Sequence, residues 1–216
     1  MRRVIERLRS EDGFSLVELS VALILSAMIV GSLVTVFFSF AQNAGDATRN
    51  AQVQSEVRAV IARIVMDVRQ ADVVTANGEA IESLSANKLV VYSDRSDVPG
   101  PERIVYERSS CTAGSCELWV RRYAATAGGG PYWTFEATPF EQSFIMDGVL
   151  DDQPLFGGFE WVGSPATKMA ISSCDGVVIQ CDFPLVSIVL RARPSPTTQG
   201  ASKALEVQEE VRIRNV

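Results

Sequence analysis

The side chains able to do chemistry in this chain are few. Histidine does not occur among its 216 residues. Its absence removes Ser-His and Cys-His nucleophile pairs, imidazole metal ligands and histidine pH switches together. Of 20 basic residues only three are lysines, Lys88, Lys168 and Lys203, and none has a nucleophile motif beside it for a Ser-Lys dyad. Acids cluster at Asp94 with Asp97, and at Asp147 with Asp151 and Asp152. Such oxygens suit a hard cation, but neither cluster makes a calcium loop, and acidic surface turns are the plainer expectation. Gly128-Gly-Gly-Pro-Tyr132-Trp133 offers either two exposed aromatics for contact or, as expected, a core-facing pair at a strand start. No glycine-rich phosphate cradle is present. No catalytic residue, cofactor or metal ion is expected.

The four cysteines form two local groups, Cys111-Thr-Ala-Gly-Ser-Cys116 and Cys174-Asp-Gly-Val-Val-Ile-Gln-Cys181. Three pairings are possible. The expected one is local, Cys111–Cys116 with Cys174–Cys181, each bond fixing a surface turn and contributing about 2–3 kcal/mol at most. Disulfides suit a domain exported to an oxidising space. The rival is a four-cysteine zinc site, which the wide 174–181 spacing does not favour.

One acid stands apart. Glu18 lies at the mouth of Leu19–Ala41, 23 residues without a charge. At about 1.5 Å per residue that run makes a helix about 35 Å long, against a hydrocarbon core of about 30 Å. No later stretch compares with it, so a single span is expected. A carboxylate in an apolar span costs about 2.5–3.5 kcal/mol at the bilayer centre and less near the interface. Glu18 therefore either has a functional partner or is simply bathed in headgroups. Before it, residues 1–13 carry Arg2, Arg3, Arg7 and Arg9 against Glu6, Glu11 and Asp12. Their small positive excess favours retention in the cytoplasm, with the remainder outside. The flanks of Arg2-Arg3 do not support a twin-arginine signal. An ordinary secretory signal cut near Ser39-Phe40-Ala41 is disfavoured because the apolar run is about twice the usual 7–15 residues.

The junction reads Gly13-Phe14-Ser15-Leu16-Val17-Glu18-Leu19. It resembles the type IV prepilin signature, in which a glycine precedes the cut, an aromatic residue opens the mature chain, and a glutamate stands fifth. The resemblance covers about the first 60 residues. It implies that a prepilin peptidase cleaves between Gly13 and Phe14 and that the new Phe14 terminus is N-methylated. It also implies that Glu18 neutralises the Phe14 amine of a neighbouring subunit during assembly. Gly13 fits a protease subsite on its own terms, because without a Cβ its backbone can lie extended against another. The implied partners are the prepilin peptidase, other pilin or pseudopilin subunits, an inner-membrane assembly platform and, before assembly, the lipid bilayer. The length of the chain and the end of its final expected strand, Val-Arg-Ile-Arg-Asn, look like a minor pilin or a J-type pseudopilin of type II secretion. The opposing expectation is a membrane-anchored adhesin or sensor that never polymerises.

These groups need elements to hold them. From Gln42 the apolar positions thin to Val53, Val57, Val60, Ile61, Ile64, Val65 and Val68, the spacing of an amphipathic helix. Arg58, Arg63, Asp67 and Arg69 are expected between them, with Arg63 and Asp67 as an i,i+4 pair. Read continuously from Phe14 to Asp72, the helix is about 88 Å long, weakened locally at Gly31 and Gly45. Beyond it the period becomes that of strands: 88–92, 103–107, 117–122, 144–146, 158–162, 168–171, 185–192 and 205–214. In the last, Leu205, Val207, Val211 and Ile213 share a face. The expected fold class is α+β, a long N-terminal helix packed on an antiparallel sheet. Its organisation is a leader at 1–13, an apolar assembly helix at 14–41, an amphipathic continuation at 42–72 and a β-rich extracytoplasmic domain at 73–216. The 47% apolar and 21% charged content excludes wholesale disorder. A net charge of −6 with a pI near 4.8 argues against direct nucleic-acid binding.

Overall fold

The computed structural model of the chain describes residues 15–74, 79–94, 99–126, 132–163, 166–171, 173–175, 181, 184–193 and 204–213. The fold is α+β. One helix, α1 (Leu16–Arg69), precedes ten strands: β1 (Ile81–Ser85), β2 (Lys88–Ser93), β3 (Glu102–Thr112), β4 (Ser115–Thr126), β5 (Thr134–Phe135), β6 (Glu141–Leu150), β7 (Phe156–Val162), β8 (Thr167–Ile171), β9 (Leu185–Ala192) and β10 (Leu205–Arg212). The chain divides into two compact units, Met1–Arg49 and Asn50–Val216, so α1 belongs partly to each. It runs unbroken through Gly31 and Gly45, and around both glycines the space is open.

In the second unit the amphipathic half of α1 lies against a sheet. Val57, Ile64 and Val68 are wholly buried, with Val60 and Ile61 nearly so. They share one core cluster with Leu89, Val91, Ile104, Tyr106, Leu118, Val120, Val186, Ile188 and Leu190. Burying each such aliphatic side chain contributes about 1.5–3 kcal/mol. The helix stops at Arg69 because the chain turns to pair with the end of β2. Ala71 bridges to Ser93, and the Asp72 N–H donates to the Tyr92 carbonyl at 3.1 Å.

All strand pairs are antiparallel, in the order β1-β2-β3-β4-β6-β9-β7-β8, with β10 on β9 and β5 on β4. Alternation sets the inward face. In β4, Cys116, Leu118, Val120 and Arg122 are buried while Glu117, Trp119 and Arg121 are half-buried. In β10 and the residue after it, Val211 and Ile213 are buried and Leu205 and Val207 are half-buried, with Glu206, Gln208, Glu210 and Arg212 exposed. The expected face is the observed one.

Two strands were not anticipated. In β1 the buried Ile81 and Leu84 stand three residues apart, a spacing that a regular strand would put on opposite faces. A register shift between Ile81 and Ser83 restores them to one side. β5 is only two residues, paired with Ala125 and Thr126. The remaining expected segments are strands, several of them longer than expected, such as β3, β4 and β6. Arg214, the expected end of the last, lies outside the described residues.

Candidate functional site: the apolar half of the helix and its acid

Ser15 and Glu18 begin α1 by capping it. The Val17 N–H donates to Ser15 Oγ at 3.3 Å, and the Ser15 N–H donates to Glu18 Oε2 at 3.3 Å. This reciprocal Ser-x-x-Glu arrangement satisfies two of the backbone donors that a helix start leaves without partners. A carboxylate in the first turn also complements the positive end of the helix dipole. Glu18 thus has a local role that its position in an apolar run concealed, although the Ser-x-x-Glu spacing was there to be read.

Beyond the cap, every residue from Ser15 to Gln52 is exposed. The helix is long and apolar enough to cross a membrane, and none of its most apolar window is buried. Leu23, Ile24, Met28, Ile29, Leu33, Phe37 and Phe40 are each more than half exposed, and they point in all directions around the axis. Four of its hydroxyls are satisfied from within. Ser20, Ser32, Thr35 and Ser39 each donate a hydroxyl to a carbonyl three or four residues back, at 2.7–3.0 Å. Such back-bonding lets these four hydroxyls sit in an apolar medium without water.

Gly13 and Phe14, the expected cleavage and methylation positions, lie outside the described residues. The cysteines pair as expected, Cys111 with Cys116 and Cys174 with Cys181. The expectation that both fix surface turns needs correcting. Cys174 and Cys181 are 5% and 4% exposed and belong to the core cluster. Cys174 exchanges two backbone hydrogen bonds with Leu84, at 2.9 and 3.0 Å, so this disulfide holds a segment along the outer edge of β1. The Cys111–Cys116 bond closes the β3–β4 hairpin, with Cys111 exposed.

Asp97 lies outside the described residues. Asp152 pairs with Arg191. The aromatic pair expected to face the core does not do so as a pair: Trp133 packs over Gly100, whose missing Cβ leaves room beneath the ring, but Tyr132 is 59% exposed.

A second correction concerns Asp67. It does not sit between the apolar positions of α1 but among them, wholly buried. The Tyr106 hydroxyl donates to Asp67 Oδ2 at 2.5 Å, and Arg122 lies 3.8 Å from Asp67 and 3.2 Å from the equally buried Glu102. Glu141 joins from β6, 3.7 Å from Arg122 and 3.9 Å from Arg63. Burial, reinforced by the Asp67 carboxylate, pushes the Tyr106 hydroxyl well above its ordinary pKa, so it stays a donor. One guanidinium thus serves two buried carboxylates where the helix meets β3 and β4. On the opposite face of the sheet, Arg103 binds Glu82 through two nitrogens at 2.5 and 2.7 Å, and Tyr92 donates to the same carboxylate at 2.7 Å. Burial alone would raise the Glu82 pKa, but these donors and the Arg103 charge outweigh it and leave it lowered. Comparison with family models, curated proteins and solved structures returns no match to this chain.

Proposed function

We propose that this chain is a structural subunit of a type IV pilus or of a type II secretion-like pseudopilus, of the minor kind. In this reading a prepilin peptidase removes residues 1–13 and methylates Phe14. The mature chain then rests in the cytoplasmic membrane with its β-rich domain outside, and finally enters a filament at the cell surface or in the periplasm. Its work is assembly, not turnover. Glu18 of an incoming subunit neutralises the Phe14 amine of a neighbour, and the apolar helices bundle together. The observation that carries the reading is the junction Gly13-Phe14…Glu18 set directly before 23 uncharged residues. An apolar helix exposed on every side supports it, since such a surface calls for lipid or for other helices. Mass spectrometry of the protein from its own membrane tests it. The expected terminus is N-methylated Phe14. An intact Met1 in cells that hold the peptidase and its sibling subunits refutes it.

The Ser15–Glu18 cap favours a second reading. If Glu18 only starts a helix, the chain is a single-span anchored domain, an adhesin or sensor that does not polymerise. That reading requires no leader removal.

A further inference from the structure

The two disulfides sit in different surroundings. Cys174–Cys181 is buried at both ends and tied into the β1 edge by backbone hydrogen bonds. Cys111–Cys116 is buried at Cys116, 2% exposed, but its other end, Cys111, is an exposed residue at a hairpin tip where residues 110–114 are all exposed. Within that tip Ser110 and Ala113 hold φ of +54° and +52°, and Gly114 holds +79°. Glycine takes this region freely, but serine and alanine do so only against a steric penalty. Ala113 and Gly114 are the two central residues of the turn between the paired Thr112 and Ser115, where such a turn takes positive φ at both, whereas Ser110 lies in the register shift between Ser109 and Thr112 that carries Cys111. Beside it stands Asp151, with a carboxylate oxygen and the two sulfurs all within 4.8 Å of one another.

We propose that Cys111–Cys116 is a redox-addressable switch of the β3–β4 tip, gated by Asp151, whereas Cys174–Cys181 is a permanent staple of the β1 edge. The exchange partner is a thiol reductant. Its thiolate attacks the sulfur of the exposed Cys111, a mixed disulfide forms there, and Cys116 leaves as a thiolate. A second thiolate of the reductant then releases Cys111 and closes its own disulfide. Two electrons pass to the protein, which takes up two protons. Ser110 is then free to leave the left-handed region, and the register shift at the tip opens. Asp151 opposes the first step twice, by repelling the incoming anion and by disfavouring the departing Cys116 thiolate. The switch does not rest on the pilin reading.

Graded dithiothreitol applied to the full chain in detergent micelles, with pulse alkylation and mass spectrometry, tests the proposal. Cys111 and Cys116 are expected to label on the order of 100-fold faster than Cys174 and Cys181, because the buried pair must wait for local opening. Asp151→Asn is expected to speed labelling of the first pair by about 3- to 5-fold, as removing one nearby charge in a solvated site should, and to leave the second pair unchanged. Simultaneous labelling of both pairs, or earlier labelling of the buried one, overturns the switch. An unchanged or slower rate in Asp151→Asn overturns the gate. Hydrogen exchange of Cys111→Ser/Cys116→Ser should lose protection only around residues 108–117, and unaltered protection there would contradict the opening.

Discussion

Two stretches of a single helix meet opposite surroundings in this chain. Residues 16–49 are apolar over most of their length and exposed at every position, whereas residues 50–69 are mixed in polarity and bury Val57, Ile64, Asp67 and Val68 completely. The second stretch has a stripe, and the sheet covers it. The first has apolar residues all round, and among the described residues they stay exposed. Each exposed Leu, Ile, Val or Phe there leaves about 1.5–3 kcal/mol of burial unrealised. Periodicity therefore separates two jobs on one rod. A stripe can be satisfied by a single domain, but an unbroken apolar surface needs surroundings that are apolar on all sides.

The contrast can be broken most severely at the polar pin under the second stretch. Arg122→Met leaves the buried Asp67 and Glu102 without the guanidinium between them. The expected loss is about 3–5 kcal/mol, the range for removing one partner of a buried ion pair, read by denaturant unfolding of the full chain in detergent. A loss below about 1 kcal/mol would place the pin among ordinary surface pairs. Packing sharpens the same contrast. Ile64→Ala should cost about 2–5 kcal/mol of domain stability. By comparison Leu25→Ala, at a 55% exposed position in the first stretch, should shift domain unfolding by less than about 0.5 kcal/mol. Equal effects would erase the distinction between the halves.

A smaller effect concerns acid. The folded state lowers the Glu82 pKa, so the ionised carboxylate favours folding. That stabilisation is fully present above the unfolded glutamate value of about 4.3 and is lost as pH falls through the lower folded value. Glu82→Gln should cost about 1 kcal/mol at neutral pH, as expected for a partly exposed pair, and the difference from wild type should vanish in acid. A difference that grows as pH falls would contradict the assignment.

Much of this was legible beforehand, and the omissions have physical causes. β9 matches its expected bounds because Leu, Val and Ile fill five of its eight positions, and β10 follows from simple alternation. β1 was hidden by its register shift, which breaks the period-two pattern. The polar pin was hidden by charge. Glu102 lies in register with Ile104 and Tyr106, and Arg122 with Leu118 and Val120, yet charged residues at inward positions read as surface until their partners from other elements are known. The Cys174–Cys181 bond was expected, but not its burial, because the β1 edge that it covers is nearly a hundred residues away. At the helix start, membrane chemistry and helix capping compete to explain one carboxylate.

Glu18→Gln separates them most directly. Glutamine keeps the acceptor that the Ser15 N–H requires, so the helix start survives, but it removes the charge. The measurement is incorporation of the variant into sheared filaments, with cleavage after Gly13 confirmed in the same cells. The pilin reading expects processed protein that stays in the membrane, with incorporation reduced at least about tenfold, the equivalent of about 1.4 kcal/mol. Wild-type incorporation of the glutamine variant would show that Glu18 merely caps a helix, and would contradict the assembly role assigned to it.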